Sequence, residues 1–326
     1  MSLASEPSAV PWRDPEWLVE LAAWIDARLA DAGTRRRSEL VQISLRPRGA
    51  LMSMETDRGR MWAKAVPPAF AHEVALTELL ADIDPGIVPP VVAADRTLGR
   101  IVTEHVEGPA LSSLDGEPAV WAATMSRLAE IQRVLANERD ELASIGTVAA
   151  PIARLAANIP ALLTDDDLLR VDRLGGLTGR EATALRSRIP ALVDACHLLE
   201  SSRIPDSLDH GDLAADEVIV GEMGPVFLDW SDSSMTHPFL SAAALLSDRA
   251  GSRAVTDELA TAYLRPWLSA GIGLNEETGR DALAEASIVL PLHRVALYAE
   301  RILPSIEDPT EIAATVSGML RAILPE

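Results

Sequence analysis

Apolar residues recur at helical spacing from Pro15 to Ala32, where Trp17, Leu18, Leu21, Trp24, Ile25 and Leu29 form one stripe, so the pattern predicts an amphipathic helix. The spacing then shortens. Leu40–Leu45, Ala50–Thr56 and Arg60–Val66 read as three strands, the last two joined by the Gly-containing turn Asp57-Arg58-Gly59. A helix is predicted from about Ala69 to Asp82 on the stripe Phe70, Val74, Leu76, Leu79 and Leu80. Ile87–Ala94 and Arg100–Glu104 form a further hairpin around Thr97-Leu98-Gly99, giving an antiparallel sheet of about five strands. Gly108-Pro109 marks a boundary.

From Glu117 onward the pattern is mainly helical. Trp121, Met125, Leu128, Ile131, Gln132 and Leu135 mark one helix, Ile152–Leu163 and Glu181–Glu200 two others, and residues 255–326 hold three more stretches. Thr164-Asp165-Asp166-Asp167 reads as a loop or helix N-cap in preference to a metal site. Thr236 ahead of Pro238 suits a helix start, and His237 between them either caps that helix or faces a ligand.

Composition narrows the function classes. The chain of 326 residues has a net charge of −20, which argues against a nucleic-acid partner because phosphate neutralisation needs basic patches. Residues 1–105 hold 12 basic and 15 acidic side chains, whereas the remainder holds 17 and 34. So acidic a second part favours a cationic ligand, or serves solubility alone. No apolar run in the sequence reaches membrane-spanning length, and the N-terminal stretch lacks a basic and apolar leader pattern, so a cytoplasmic protein without a membrane partner is expected. The single Cys196 excludes an intramolecular disulfide or a cysteine zinc cluster and reads as a buried, inert thiol.

Candidate chemistry concentrates between Ser207 and Asp232. Asp209-His210-Gly211-Asp212 is followed by Glu217, then by Val218-Ile219-Val220 and Pro225-Val226-Phe227-Leu228 around a Gly-containing loop, then by Asp229-Trp230. The two runs predict a hairpin, and folding it back is expected to bring Asp212, Glu217 and Asp229 together, where carboxylate oxygens suit a hard divalent cation. A second signal lies upstream. Among 28 arginines the chain has one lysine, Lys64, on the third predicted strand. An ammonium is a compact point charge, unlike the broad guanidinium fork.

His210-Gly211-Asp212-Leu213, the hairpin and Asp229-Trp230 resemble the catalytic loop and metal-binding segment of the aminoglycoside phosphotransferase family, within the protein-kinase-like fold. Glu217 stands where that family carries a metal-binding Asn, and Ala214 and Ala215 where His and Pro are frequent. The resemblance implies an α+β fold in two lobes: residues 1–105 as a nucleotide-binding lobe with an antiparallel sheet and a leading helix at about 15–32, and residues 106–326 as a larger helical lobe. It implies transfer of the γ-phosphoryl group of ATP, or another nucleoside triphosphate, to a hydroxyl of a small molecule.

In that scheme Asp212 is the base, Asp229 holds Mg2+ (or Mn2+) with Glu217 as a second ligand, and His210 braces the loop. Lys64, paired with Glu73 or alternatively Glu78, touches the phosphates. Glu104, His105 and Val106 would be the hinge whose backbone meets the adenine, with His105 either a contact or a structural residue. Only Gly49 of the phosphate-covering loop is present in Arg46-Pro47-Arg48-Gly49-Ala50. That gap and Glu217 support a rival reading, a pseudokinase-like module that binds nucleotide or metabolite without transfer. A purely structural role is a third reading, against which Lys64 speaks.

Overall fold

The computed structural model describes residues 11–249, 253–305 and 310–324. In chain order its elements are α1 (Pro15–Asp31), β1 (Val41–Arg46), β2 (Gly49–Thr56), β3 (Gly59–Ala65), α2 (His72–Ile83), β4 (Val91–Asp95) and β5 (Arg100–Glu104). There follow α3 (Pro118–Leu135), α4 (Arg139–Ser144), β6 (Val148–Ala149), α5 (Ile152–Thr164), α6 (Asp166–Leu169), α7 (Gly179–Ser187) and α8 (Ile189–Ser201). The remainder is β7 (Ser207–Asp209), β8 (Val218–Gly221), β9 (Gly224–Phe227), β10 (Ser234–Thr236), α9 (Phe239–Asp248), α10 (Arg253–Leu268), α11 (Glu276–Leu297) and α12 (Thr310–Arg321).

The chain divides into two compact units. The first takes in residues up to Leu114 together with Ser144–Thr147 and Ala215–Asp232. The sequence reading divides the chain after residue 105. By compactness the first unit runs further and also claims the hairpin β8–β9, because the segment after β5 hydrogen-bonds to it. Val220 N–H donates to Pro109 O at 2.9 Å, and Ala110 forms a bridge with Ile219.

The core of this unit follows from two periodicities. Asp14 caps α1 by accepting the Glu16 N–H at 2.9 Å, and Pro15 supplies a fixed φ at the first position. Trp17, Leu21, Ile25 and Leu29, four residues apart, are buried on one face of the helix. They meet the alternate residues of the sheet: Ala50, Met52 and Met54 of β2, and Met61, Ala63 and Ala65 of β3. The sheet order is β1-β2-β3-β5-β4, antiparallel throughout. Since successive side chains point to opposite faces, Leu51, Trp62 and Lys64 turn away from α1.

One strand departs from expectation. β4 begins at Val91, not Ile87, because Pro89 and Pro90 lack the N–H that a ladder needs. Ile87 O instead accepts the Phe227 N–H of β9 at 2.8 Å.

The second unit comprises residues 115–143, 148–214 and 233 onward. Helices α3, α5, α8, α9, α10 and α11 build most of it, with the small sheet β6-β10-β7. The helix predicted over Glu181–Glu200 is two. α7 stops at Ser187, and Pro190 sits in the first turn of α8, where its ring cannot continue a preceding helix. Helical structure runs unbroken from Glu276 to Ile302, 27 residues, long and apolar enough by length and composition to cross a membrane. The sequence reading had no such run. Here 56% of its apolar window is buried inside the protein, as in a core helix.

Asp165 caps α6 by accepting the Asp167 and Leu168 N–H groups, and Asp166 and Asp167 pair with Arg186 and Arg173, so the acidic triplet is a cap. Cys196 is buried, and burial pushes its thiol up to about 12. His237 is also buried. Its Nδ1 accepts the Phe239 N–H at 3.3 Å, its Nε2 lies 3.1 Å from Ser202 Oγ, and burial lowers its pKa to about 3, which makes it a neutral structural residue at the start of α9.

Candidate functional site

The face of the sheet turned away from α1 opens on a cavity of about 440 Å3 within the first unit. Leu51, Trp62, Lys64, Ile101 and Thr103 come from the sheet, Glu73 and Thr77 from α2, and Glu217, Ile219, Phe227 and Asp229 from the hairpin and its ends. Mostly apolar walls with a few converging charges are the usual make-up of a small-molecule site.

Lys64 is the centre of those charges. Its Nζ lies 2.6 Å from Glu73 Oε1 and 2.7 Å from Asp229 Oδ1. Burial alone would lower the lysine pKa, but Glu73 and Asp229 outweigh it and raise it, so the ammonium stays charged. The Glu73 pKa is raised as well, which favours its neutral form. Burial raises it, Lys64 pulls it down, Asp229 and Asp232 raise it further, and the net position is about 7. The pairing of Lys64 with Glu73 is the one expected from sequence. The fallback Glu78 is instead bonded to Arg96 at 2.7 Å.

Asp229 is set by the backbone as well as by its partners. It adopts φ +55°, a left-handed conformation that is uncommon and costly for a non-glycine residue. Its Oδ1 also accepts from Ser231 Oγ at 2.8 Å. Glu217, half-buried, ends a short 3-10 turn before β8, and its carbonyl accepts the Leu228 N–H at 2.8 Å. That bond ties the entry of the hairpin to its exit. Among the described residues no three Asp, Glu, His or Cys side chains form a metal-type cluster. Asp212 belongs to the second unit, and Asp229 is engaged by a lysine. Asp229 and Glu217 nevertheless line one cavity as anionic oxygen donors. Such a pair suits Mg2+, which takes one or two carboxylates and completes its octahedron with water and phosphate oxygen.

Glu104, His105 and Val106 line the same cavity. Glu104 ends β5 and pairs with Arg58 at 3.2 Å, and the His105 N–H donates to Arg60 O at 3.1 Å. Trp62 Nε1 donates to His105 Nδ1 at 3.1 Å, which places the proton of the neutral imidazole on Nε2. His105 is thus a wall residue held by its ring. No hydrogen bond engages the Val106 amide among the described residues.

In the second unit Asp212 follows Gly211, whose φ of +85° makes the turn out of β7. Its side chain is 47% exposed, with Arg294 Nη1 3.8 Å from Oδ1. The strand behind it is anchored in depth. Gln132 Nε2 donates to Leu208 O at 2.9 Å and to Pro238 O at 3.0 Å, and Tyr263 Oη donates to Gln132 Oε1 at 2.6 Å. Ser241 Oγ accepts the His210 N–H at 2.9 Å and donates to Asp209 Oδ1 at 2.5 Å. Asp209 is 1% exposed. Burial raises its pKa to about 6 against the pull of Ser241, Arg294 and the Gly211 N–H.

Sequence reasoning missed several of these. Trp62 was detectable, since it stands two residues before Lys64 and strand alternation puts both on one face. Arg46, Arg48 and Asp232 were quoted only as parts of a glycine-poor loop and of a segment end. Asp209 was quoted only as part of a polar cluster, and Ser241 and Arg294 carry no local signal because their meeting with it is tertiary.

A five-stranded antiparallel sheet whose third strand presents a lysine to a helix glutamate and to the carboxylate leaving a hairpin is the arrangement of protein-kinase-like α+β proteins. The chain belongs to the Phosphotransferase enzyme family, whose profile matches residues 54–284. Solved structures share the fold. Macrolide 2'-phosphotransferase type I superposes with a TM-score of 0.61 at 14% identity, over 94% of this chain and 97% of that one. Choline kinase LicA from Streptococcus pneumoniae gives 0.58 at 16%, over 93% and 99%. Spectinomycin phosphotransferase, solved with ADP and spectinomycin, gives 0.56 at 11%, over 93% and 94%. No curated protein sequence matches the chain. Family and fold together make it a member of a phosphotransferase enzyme family with kinase-like architecture.

Proposed function

We propose that the protein moves the γ-phosphoryl group of ATP to a hydroxyl of a small molecule. The observation that carries this reading is the Lys64 ammonium bound at once by Glu73 and Asp229 in the cavity. Lys64, positioned by Glu73, would neutralise the α- and β-phosphates, and Val106 would offer its amide to the adenine. Asp229 and Glu217 would hold Mg2+, which would supply positive charge to offset the negative charge of the phosphates. Asp212 would accept the proton of the acceptor hydroxyl as that oxygen bonds to the γ-phosphorus and the bond to the β-phosphate oxygen breaks, releasing ADP. The acidic residues 106–326 favour an acceptor that carries positive charge, in keeping with the choline and spectinomycin named for the structural neighbours. A cytoplasmic location, where ATP and a reduced Cys196 coexist, completes the proposal.

A second reading, nucleotide binding without transfer, is favoured by Glu217 in place of a neutral amide and by the lack of a glycine-rich turn. One screen separates the two: nucleotide consumption by the wild type and by Asp212→Asn against a panel of alcohols. The kinase reading expects at least one alcohol to stimulate turnover. It expects Asp212→Asn to lower that turnover about 10²–10⁴-fold with nucleotide affinity retained. Binding of Mg·ATP without stimulation by any alcohol would favour the second reading.

A further inference from the structure

In kinase-like proteins a glycine-rich loop between the first two strands covers the nucleotide phosphates. Here β1 and β2 are joined by two residues, Pro47 and Arg48, closed by the register pair Arg46 and Gly49. Proline has no N–H, so this turn is poor in the main-chain donors that such a loop offers to an anion. What it offers is guanidinium. Arg46 and Arg48 both line the cavity that holds Lys64 and Asp229.

Arg48 is not left to find its own position. Its Nη1 is hydrogen-bonded to Asp232 Oδ2, and the Asp232 side chain is 9% exposed, three residues beyond Asp229 in the turn that follows it. Asp232 also adds to the negative field that raises Glu73, so it sits close to the charges around Lys64. A carboxylate that far from water binds its cation firmly, because separating the pair would leave a buried charge uncompensated. Two basic side chains of the cavity are therefore held by the same four-residue stretch: Lys64 by Asp229 and Arg48 by Asp232.

We propose that Arg48 is a phosphate-contacting residue that takes the place of the absent glycine-rich loop, and that Asp232 is the residue that positions it. The proposal rests on the nucleotide-kinase reading above. A planar guanidinium carries five N–H donors in a fixed fork, so it can keep a carboxylate on one edge and direct others at phosphate oxygens. A lysine at this place has three donors on one nitrogen and no planar fork, so it would serve both partners less well.

Calorimetric titration of adenosine, ADP and ATP with Mg2+ tests this on the wild type, Arg48→Ala, Arg48→Lys and Asp232→Asn. The wild type is expected to gain affinity along the series as phosphates are added. Arg48→Ala should weaken ATP by about 10- to 100-fold, as for loss of a charge-assisted hydrogen bond, and leave adenosine within about twofold. Arg48→Lys should restore only part of the loss, and Asp232→Asn should fall between the alanine variant and the wild type. Should Arg48→Ala fold poorly with Asp232 left unpaired, the double variant R48A/D232N removes both charges and should show the same selective loss for ATP.

Equal affinity for ATP in wild type and variants, or an equal loss for ATP and adenosine, would overturn the assignment and leave Arg48–Asp232 as a structural ion pair. A wild type that binds adenosine and ATP alike, or neither, would overturn the nucleotide-kinase reading itself and the proposal with it.

Discussion

Asp209 shows what a single buried side chain can impose on this protein. Its carboxyl accepts from Ser241 of α9 and from the Gly211 N–H, and so ties the turn that presents Asp212 to that helix. Burial nonetheless raises its pKa to about 6 from an ordinary value of 3.8, so the folded state holds a proton that the unfolded chain has released. Its contribution to stability is therefore full below about pH 4 and is lost as pH rises through about 6. Asp209→Asn removes that titration. The melting temperature of the variant relative to wild type should rise between pH 4 and pH 7, and a pH-independent difference would contradict the assignment. At this scale legibility in the sequence was uneven. Lys64 stood out because the chain uses arginine everywhere else, and Asp229 because it leaves a hairpin beside Trp230. Asp209 and Arg48 act through Ser241 and Asp232, which lie 32 and 184 residues away, and no local pattern encodes such pairs.

The hairpin β8–β9 is the element on which the site depends most, and it is fixed by backbone. The segment leaving β5 passes so close to it that a Cβ on Gly108, at φ +146°, would meet Val220 O at 2.3 Å. Gly108→Ala is thus expected to cost upwards of about 1 kcal/mol, since both the conformation and the space exclude a side chain. It should also weaken nucleotide binding, because Val106 and Ile219 line the cavity on either side of that approach. Denaturant unfolding and a nucleotide titration of the variant check the two effects, and a neutral result in unfolding would contradict the close approach. Elements with strong periodicity were legible: α1, the strands β2, β3 and β5, and the hairpin all lie within a residue or two of their sequence positions. The failures fell where proline overrode apolar content, at Pro89-Pro90 before β4 and at Pro190 between α7 and α8.

At the scale of the molecule, the family match and the kinase-like fold agree with each other, while no sequence feature names an acceptor. Function on a shared fold lives in particular side chains, and here the account turns on one of them. Its central claim is that Lys64 receives the phosphates of ATP in the cavity of the first unit. The most direct measurement is the melting temperature of wild type and Lys64→Ala with and without Mg·ATP. A ligand at about 100 times its dissociation constant stabilises the folded state by about 2.7 kcal/mol. The account predicts a clear rise for the wild type and the loss of most of that rise in Lys64→Ala, with melting of the two ligand-free proteins recorded as the reference. An equal rise in both proteins, or none in the wild type, would contradict it.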